Sequence, residues 1–333
     1  MNFQKNDIIY KFRLMKKLGQ GSFGSVWLAT DTAIESQVAL KILPADFSNV
    51  VDTLEEAKNG HKVNHRNLLQ IYSADIVRID RSNDMVVLIA QEYHERGTVE
   101  TLLNARHFLP IPTLIKILKD VLLGLEYLHN GGIIHNDIKP GNILIDKQGN
   151  GILSDYGISG VTNGECSTIA KNAYIPHQAP ESISNNKIDF QTDIYQLGCT
   201  AFRLANNVTE REFTSFQPYV PNKIVTIIKR SIDANQNIRY KTALEMRRDL
   251  EKCSFPGYWT VDDNDYLGIG NRYEYRFDIV PKAERKFDFN ARKRNAQSGR
   301  ETRISDFCSS NLSARQLESI KTKFFQWVIN NAS

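Results

Sequence analysis

The 333-residue chain is short of cysteine, of proline and of long apolar runs. Its four cysteines, Cys166, Cys199, Cys253 and Cys308, stand far apart with no Cys-x-x-Cys pair. That fits reduced thiols better than a disulfide framework or a cysteine-based zinc site. Ten prolines and nineteen glycines are too few for a collagenous or low-complexity chain. Apolar stretches such as Met85 to Ala90 fall far short of the roughly 20 residues of a membrane-spanning helix. The opening Met1-Asn2-Phe3-Gln4-Lys5-Asn6-Asp7 lacks a basic region followed by an apolar core, so a cytoplasmic protein with no membrane partner is expected. An excess of one charge is missing too: 42 Lys and Arg against 38 Asp and Glu leave +4, not the dense basic footprint of a nucleic-acid binder. No internal repeat is present.

What the chain does have is 41% hydrophobic and 24% charged residues, the composition of a folded protein with a sizeable core. Strand-like runs cover Tyr10 to Leu18, Ser25 to Thr30, Val38 to Leu43, Leu68 to Asp75 and Met85 to Glu92, which predicts a small antiparallel sheet. A helical pattern over Ser48 to Val63 interrupts it. After residue 93 the period becomes helical: Leu114, Leu118, Val121, Leu125 and Leu128 follow Pro112, with Asn130-Gly131-Gly132 as a stop. Further helices are expected at Asp189 to Ala205, Val220 to Ile232 and Thr242 to Lys252. Residues 255–333 read as a small α+β appendage, with alternation at Tyr273 to Ile279 and Phe287 to Phe289 and a helix from Ser313 to Asn330.

Gly19-Gln20-Gly21-Ser22-Phe23-Gly24-Ser25-Val26 is a Gly-x-Gly-x-x-Gly-x-Val loop between two strand-like runs. Glycines there let backbone N–H groups approach phosphate, where a Cβ would stand in the way. A dinucleotide fold would follow the loop with a helix, and here a strand follows. Fifteen residues beyond Val26 comes Lys41, in Val38-Ala39-Leu40-Lys41. A longer motif follows at Ile133-Ile134-His135-Asn136-Asp137-Ile138-Lys139-Pro140-Gly141-Asn142-Ile143-Leu144, then Asp155-Tyr156-Gly157 and Ala179-Pro180-Glu181.

In order and spacing these motifs resemble the eukaryotic-type protein kinase superfamily over about residues 10–253. The resemblance implies an α+β, bilobal fold, with a β-rich N-lobe over about 10–92 and a mainly helical C-lobe over about 93–254. Residues 255–333 form an accessory region outside it. The resemblance implies an ATP- and magnesium-dependent kinase, with manganese as a substitute metal, acting on Ser/Thr hydroxyls of proteins and on itself. The Ser/Thr branch is suggested by Lys139-Pro140, and Arg239 to Met246 resembles bacterial members. Asp137 would orient and accept the proton of the substrate hydroxyl, and Lys139 would meet the γ-phosphate. Lys41 would hold the α- and β-phosphates with Glu56 as its carboxylate, Glu55 being the alternative. Asn142 and Asp155 would bind metal. Gly19, Gly21, Gly24, Val26, Ala39, Lys41, Gln91 as gatekeeper, Glu92 and Tyr93 would line the nucleotide site. His135 and Asp193 would be scaffold, and Arg239 would partner Glu181.

The sequence also departs from the pattern. Asn136 replaces an arginine that receives a phosphorylated activation loop in many relatives, so activation without loop phosphorylation is expected. Ser159, Thr162, Ser167 and Thr168 are candidate loop phosphosites. Lys171 to Gln178 lacks the usual threonine, and Gly60 sits where a helix commonly carries an apolar residue, predicting a mobile helix. His61 and His65 have zinc-compatible spacing but no third ligand in view. The appendage, with thirteen Lys/Arg and ten Asp/Glu, favours a solvated sheet with an aromatic core over nucleic-acid contact. Docking on the kinase lobes and recruiting a substrate are both open roles for it. A pseudokinase that binds nucleotide or a partner without turnover, and a small-molecule kinase, are the alternative functions.

Overall fold

The computed structural model describes residues 3–20, 24–45, 57, 60–79, 84–103, 108–155, 160–161, 167–169, 177–185, 187–208, 215–262 and 265–332. The chain divides into two compact units, Met1–Val99 with Leu123–Asp193, and Glu100–Leu122 with Ile194–Ser333.

The first unit opens with β1 (Ile8–Ile9), β2 (Phe12–Gln20), β3 (Ser25–Asp31), β4 (Ser36–Pro44), β5 (Ile71–Arg78) and β6 (Met85–Gln91). They form one sheet in the order β1-β2-β3-β4-β6-β5, antiparallel throughout. Five of its strands are the expected ones within a few residues; the two-residue β1 is too short to carry an alternating pattern. Side chains alternate between faces along a strand. Phe12, Leu14, Trp27, Ala29, Val38, Leu40, Ile42, Val86 and Leu88 accordingly bury one face. Leu43, Val87 and Ile89 cluster with Ala57 on the other, so Ala39 and Lys41, in phase with Leu43, share that second face. Of the helical pattern over Ser48 to Val63, residues 57 and 60–62 are helical, Val63 is not, and the others, with Glu55 and Glu56, lie outside the described residues.

α1 (Ile111–Asn130) starts and stops where the sequence predicts, and its periodic leucines and Val121 are fully buried. Short strands follow: β7 (Ile133–Ile134), β8 (Ile143–Ile145), β9 (Gly151–Leu153), β10 (Gly160–Val161) and β11 (Ser167–Ile169). They are followed by α2 (Pro180–Asn185), β12 (Lys187–Asp189) and α3 (Phe190–Asn206). β8 pairs with β9, β7 with β10 and β11 with β12. Asn67 is buried and ties the segment before β5 to β9, its Nδ2 donating to the Gly151 carbonyl at 3.0 Å. Gly124 in α1 permits that packing, because a Cβ there would stand 2.9 Å from the Asn67 carbonyl oxygen.

In the second unit, α4 (Asn222–Ser231) and α5 (Ala243–Glu251) precede the appendage. Thr242 caps α5 by accepting from the Glu245 N–H. The appendage holds five strands, β13 (Tyr258–Asp262), β14 (Asp265–Ile269), β15 (Tyr273–Pro281), β16 (Phe287–Asn295) and β17 (Glu301–Leu312), antiparallel in chain order. α6 (Ala314–Asn331) begins in a capping box of Ser313 and Gln316. It buries Phe324, Phe325, Val328 and Ile329. Trp259 is fully buried, meets Phe324 edge-on and Phe325 at a tilt, and donates Nε1–H to the Phe325 carbonyl at 3.1 Å. Burial of each such side chain stabilises by about 1.5–3 kcal/mol.

The appendage is thus α+β around an aromatic core, with three more strands than the sequence suggested. It packs on its own unit. Tyr219 stacks on Phe108 at 4.0 Å and meets Tyr266 and Phe325. The Gln326 amide donates to the carbonyls of Pro218 and Val220 at 2.9 and 3.0 Å. No helix among the described residues is long and apolar enough to cross a membrane.

Candidate active site

Strand register assembles the nucleotide-side residues. Gly19 pairs with Val26, Val26 with Lys41 and Lys41 with Ile89, while Ala39 pairs with Gln91. Gly19, Val26 and Lys41 therefore stand in one row across β2, β3 and β4. The two described glycines of the loop do different work. A Cβ on Gly19 would meet nothing within 4 Å, an open position of the kind a close-approaching ligand needs. A Cβ on Gly24 would lie 2.1 Å from the Ile42 carbonyl oxygen, so that glycine is required by the packing of β3 on β4. Gly21 lies outside the described residues.

The segment after β7 is held by a buried carboxylate. Asp193, in the first turn of α3, accepts from the His135 N–H at 2.9 Å, from the Asn136 N–H at 2.7 Å and from His129 Nε2 at 2.8 Å. Asn136 is buried with φ 61°, a left-handed backbone that asparagine tolerates better than most residues. His135 Nδ1 accepts the Asp137 N–H at 3.2 Å, which leaves its proton on Nε2 to donate to the Ser154 carbonyl at 2.9 Å. His135 is scaffold, as expected.

Asp137 is 4% exposed. Its Oδ2 accepts from Lys139 Nζ at 2.7 Å and from Asn142 Nδ2 at 2.7 Å, and among the described residues Oδ1 has no donor. Asn142 Nδ2 also donates to the Asp137 carbonyl at 2.8 Å, and among the described residues its Oδ1 has no donor. The Ser154 N–H and hydroxyl both reach the Asn142 carbonyl, at 2.8 and 3.1 Å, fixing Asp155 beside Asn142. Asp155 has φ 56°, and its Oδ1 pairs with Lys41 Nζ at 3.1 Å. The Lys41 ammonium, opposed by partial burial, holds the Asp155 carboxyl below the ordinary carboxylate range. Lys41 is 24% and Asp155 41% exposed, so solvent keeps the worth of this pair to about 1 kcal/mol or less.

Asn142 Oδ1 and Asp155 Oδ2 are hard oxygen donors on adjacent backbone, the set that magnesium accepts from a protein while phosphates and water complete its shell. The described residues contain no cluster of three or more His, Cys, Asp or Glu side chains suited to a metal. In particular, His61 Nδ1 bonds the Ile71 carbonyl and His65 Nδ1 accepts the Asn67 N–H, both scaffold contacts rather than a zinc pair. Glu92 and Tyr93 follow β6. His94 stands 3.5 Å from Glu92 and holds its carboxyl below the usual range. These three line a polar recess of about 560 Å³ with Arg66 and Lys147, and neither Lys41, Asp137 nor Asp155 lines it.

Elsewhere, Glu181 accepts from Thr192 Oγ1 at 3.2 Å. Arg239 is buried, donates Nε–H to the Asp233 carbonyl and lies over the Tyr195 ring. Tyr156, with the loop positions Ser159 and Thr162, and Lys171 to Pro176 lie outside the described residues. One neighbour of the Asp137 segment had no signal in the sequence. His177 is buried, and its Nδ1 is 2.9 Å from the Ile138 carbonyl, the residue next to Asp137.

The sequence profile of the protein kinase domain matches residues 12–253, and the chain belongs to that family. It is 28% identical over 270 residues to a probable serine/threonine-protein kinase of Streptomyces coelicolor, covering 73% of this chain and 40% of that protein. It is 26% identical over 265 residues to the serine/threonine-protein kinase PrkC of Bacillus subtilis, covering 72% and 40%. A serine/threonine-protein kinase of Dictyostelium discoideum, dst1, is 32% identical over 201 residues, covering 59% and 26%. The chain spans about two fifths of the length of the first two of these relatives. Members of the family use ATP and a divalent metal ion.

Proposed function

We propose that the protein is an ATP- and magnesium-dependent serine/threonine protein kinase that transfers the γ-phosphate to hydroxyls of protein substrates and of itself, in the cytoplasm where its thiols stay reduced. The observation that carries this reading is the state of Asp137. Lys139 and Asn142 both bind its Oδ2, and Oδ1 remains to take the proton of an acceptor hydroxyl. Lys139 Nζ, beside that carboxylate, is positioned for the transferring phosphoryl group. Lys41, paired with Asp155, would hold the inner phosphates, and Asn142 Oδ1 and Asp155 would hold magnesium. Magnesium held there would neutralise charge on the phosphates. The residues around it supply position, which is most of what phosphoryl transfer requires. Gly19, Val26 and Ala39 would cover the nucleotide, with Gln91, Glu92 and Tyr93 at its adenine end.

The test is intact mass after incubation with ATP and magnesium, beside an Asp137→Ala control with nucleotide affinity measured for both. Added phosphate in the wild type and none in the control is the expected result. Bound nucleotide with no phosphate on the protein or on any member of a Ser/Thr peptide array would overturn the reading in favour of a binding module.

A further inference from the structure

We infer that His177 is a positioning residue for the Asp137 segment, and that it works with His135 as a pair of imidazoles in opposite tautomers. The inference rests on the kinase reading for its kinetic consequence but not for its chemistry. The backbone around Asp137 is held from both sides by rings. On the N-terminal side the Asp137 N–H donates to His135 Nδ1 at 3.2 Å, so that nitrogen carries a lone pair. On the C-terminal side His177 Nδ1 lies 2.9 Å from the Ile138 carbonyl oxygen. A carbonyl only accepts, so His177 Nδ1 carries the proton. The two contacts fix the peptide planes that enter and leave the Asp137–Ile138 unit.

His177 and Ile138 are both buried, at 1% and 0% exposure, and 39 residues separate the two ends of this bond. His177 also stands two residues before Ala179, whose carbonyl accepts from the Ser182 N–H and hydroxyl at the start of α2. Glu181 in the same turn is fixed by Thr192. The segment entering α2 is therefore pinned to α2 and, through His177, to the residue between Asp137 and Lys139. An acceptor peptide that lies against this segment would be registered to the Asp137 carboxylate through one imidazole.

The experiment uses the full chain with His177→Leu and His177→Asn, together with selective ¹⁵N-histidine labelling. Asparagine places an amide N–H close to where Nδ1–H stands; leucine fills the space without a donor. In the wild type, the ring resonances that vanish in both variants should show a protonated Nδ1, and His135 a protonated Nε2. With the best peptide of a Ser/Thr array as substrate, His177→Leu should lose about 10- to 100-fold in kcat/KM. Its affinity for ATP should be unchanged, and His177→Asn should recover most of the loss. A protonated Nε2 with a bare Nδ1 at His177 would overturn the inference whatever the kinetics. So would equal losses in the two variants, which would mean that only the ring's volume matters, or wild-type kcat/KM in both. If the wild type transfers no phosphate, the kinase reading fails. The tautomers, with amide exchange at Lys139 in the two variants, then still decide the clamp.

Discussion

Replacing Asp193 with asparagine should loosen the Asp137 segment by an amount that follows from three distances. The carboxylate is fully buried and accepts from His135 N at 2.9 Å and His129 Nε2 at 2.8 Å on Oδ2, and from Asn136 N at 2.7 Å on Oδ1. An asparagine in the same rotamer does best with its oxygen at the Oδ2 position, keeping two donors. Its NH₂ then faces the Asn136 N–H, donor against donor, in a fully buried position. The loss is one hydrogen bond to a charged group and one buried N–H left unmet, about 2–3 kcal/mol. Asp193→Ala removes all three hydrogen bonds and should cost at least about twice as much. A chain with two compact units need not unfold in one step, so local amide exchange is the better readout than a global midpoint. At 1.4 kcal/mol per tenfold, the Asn136 amide should exchange roughly 30- to 150-fold faster in Asp193→Asn. The His135 amide should change much less in that variant and as much in Asp193→Ala. Exchange at Asn136 within about threefold of wild type would refute the assignment of Asp193 as the anchor.

Gly24→Ala should destabilise the first unit by about 2 kcal/mol or more, because its Cβ collides with backbone at Ile42. Gly19→Ala should leave melting within about 0.5 kcal/mol and alter ATP affinity alone; the reverse ranking in paired melting and ATP titrations would refute the division of labour between the two glycines. Lys41→Met should raise the Asp155 pKa. In the wild type Lys41 holds that pKa below 3.8, so the stabilisation from ionised Asp155 is complete above the unfolded value and is lost as pH falls through the lowered one. In the variant, ¹³C-carboxyl titration should place the transition at higher pH, and an unmoved midpoint would remove Lys41 as the cause. Ending the chain at Ser254 strips Tyr266 and Phe325 from Tyr219, which is 4% exposed. The shortened chain should melt lower by about 5 °C or more and bind a hydrophobic dye; unchanged melting would mean that the appendage is not part of its unit's core.

The residues read most easily from the sequence were those whose chemistry fixes both type and spacing. Asp137, Lys139 and Asn142 lie within six consecutive residues, so the segment that carries them also brings them together. Lys41 and Asp155 are 114 residues apart and were legible only through resemblance. Other features depend on neighbours that no local pattern encodes. Gly24 reads as part of a phosphate loop, yet its lack of a side chain is required by a carbonyl on the adjacent strand. His177 lies in a stretch that looked merely irregular, because a ring bonded to a backbone carbonyl 39 residues away leaves no trace in spacing. Asn136 reads as a missing arginine, and the structure adds that its backbone is left-handed. β17 escaped because all twelve of its residues are exposed or half-buried, so its edge position removed the alternation by which strands are recognised. β13 and β14, five residues each, were hidden by their brevity.

The open atoms of the site follow a common rule. Among the described residues, Asp137 commits Oδ2 to Lys139 and Asn142 and leaves Oδ1; Asn142 commits Nδ2 to Asp137 and leaves Oδ1; Asp155 commits Oδ1 to Lys41 and leaves Oδ2. Each residue uses one polar atom to fix its rotamer and presents the other. All three presented atoms are oxygens that only accept, so what they can take is a cation or a hydroxyl proton, and the ammonium groups of Lys41 and Lys139 stand beside them for anionic oxygens. Anchoring and function are therefore chemically inseparable at these positions. Removing Asn142 would strip a donor from Asp137 as well as the oxygen proposed for the metal, and losses from Asn142→Ala and Asp137→Ala should combine to much less than their sum. A double-mutant cycle on nucleotide binding and phosphate transfer that came out additive would mean that the two residues act independently, against the hydrogen bond at 2.7 Å that joins them.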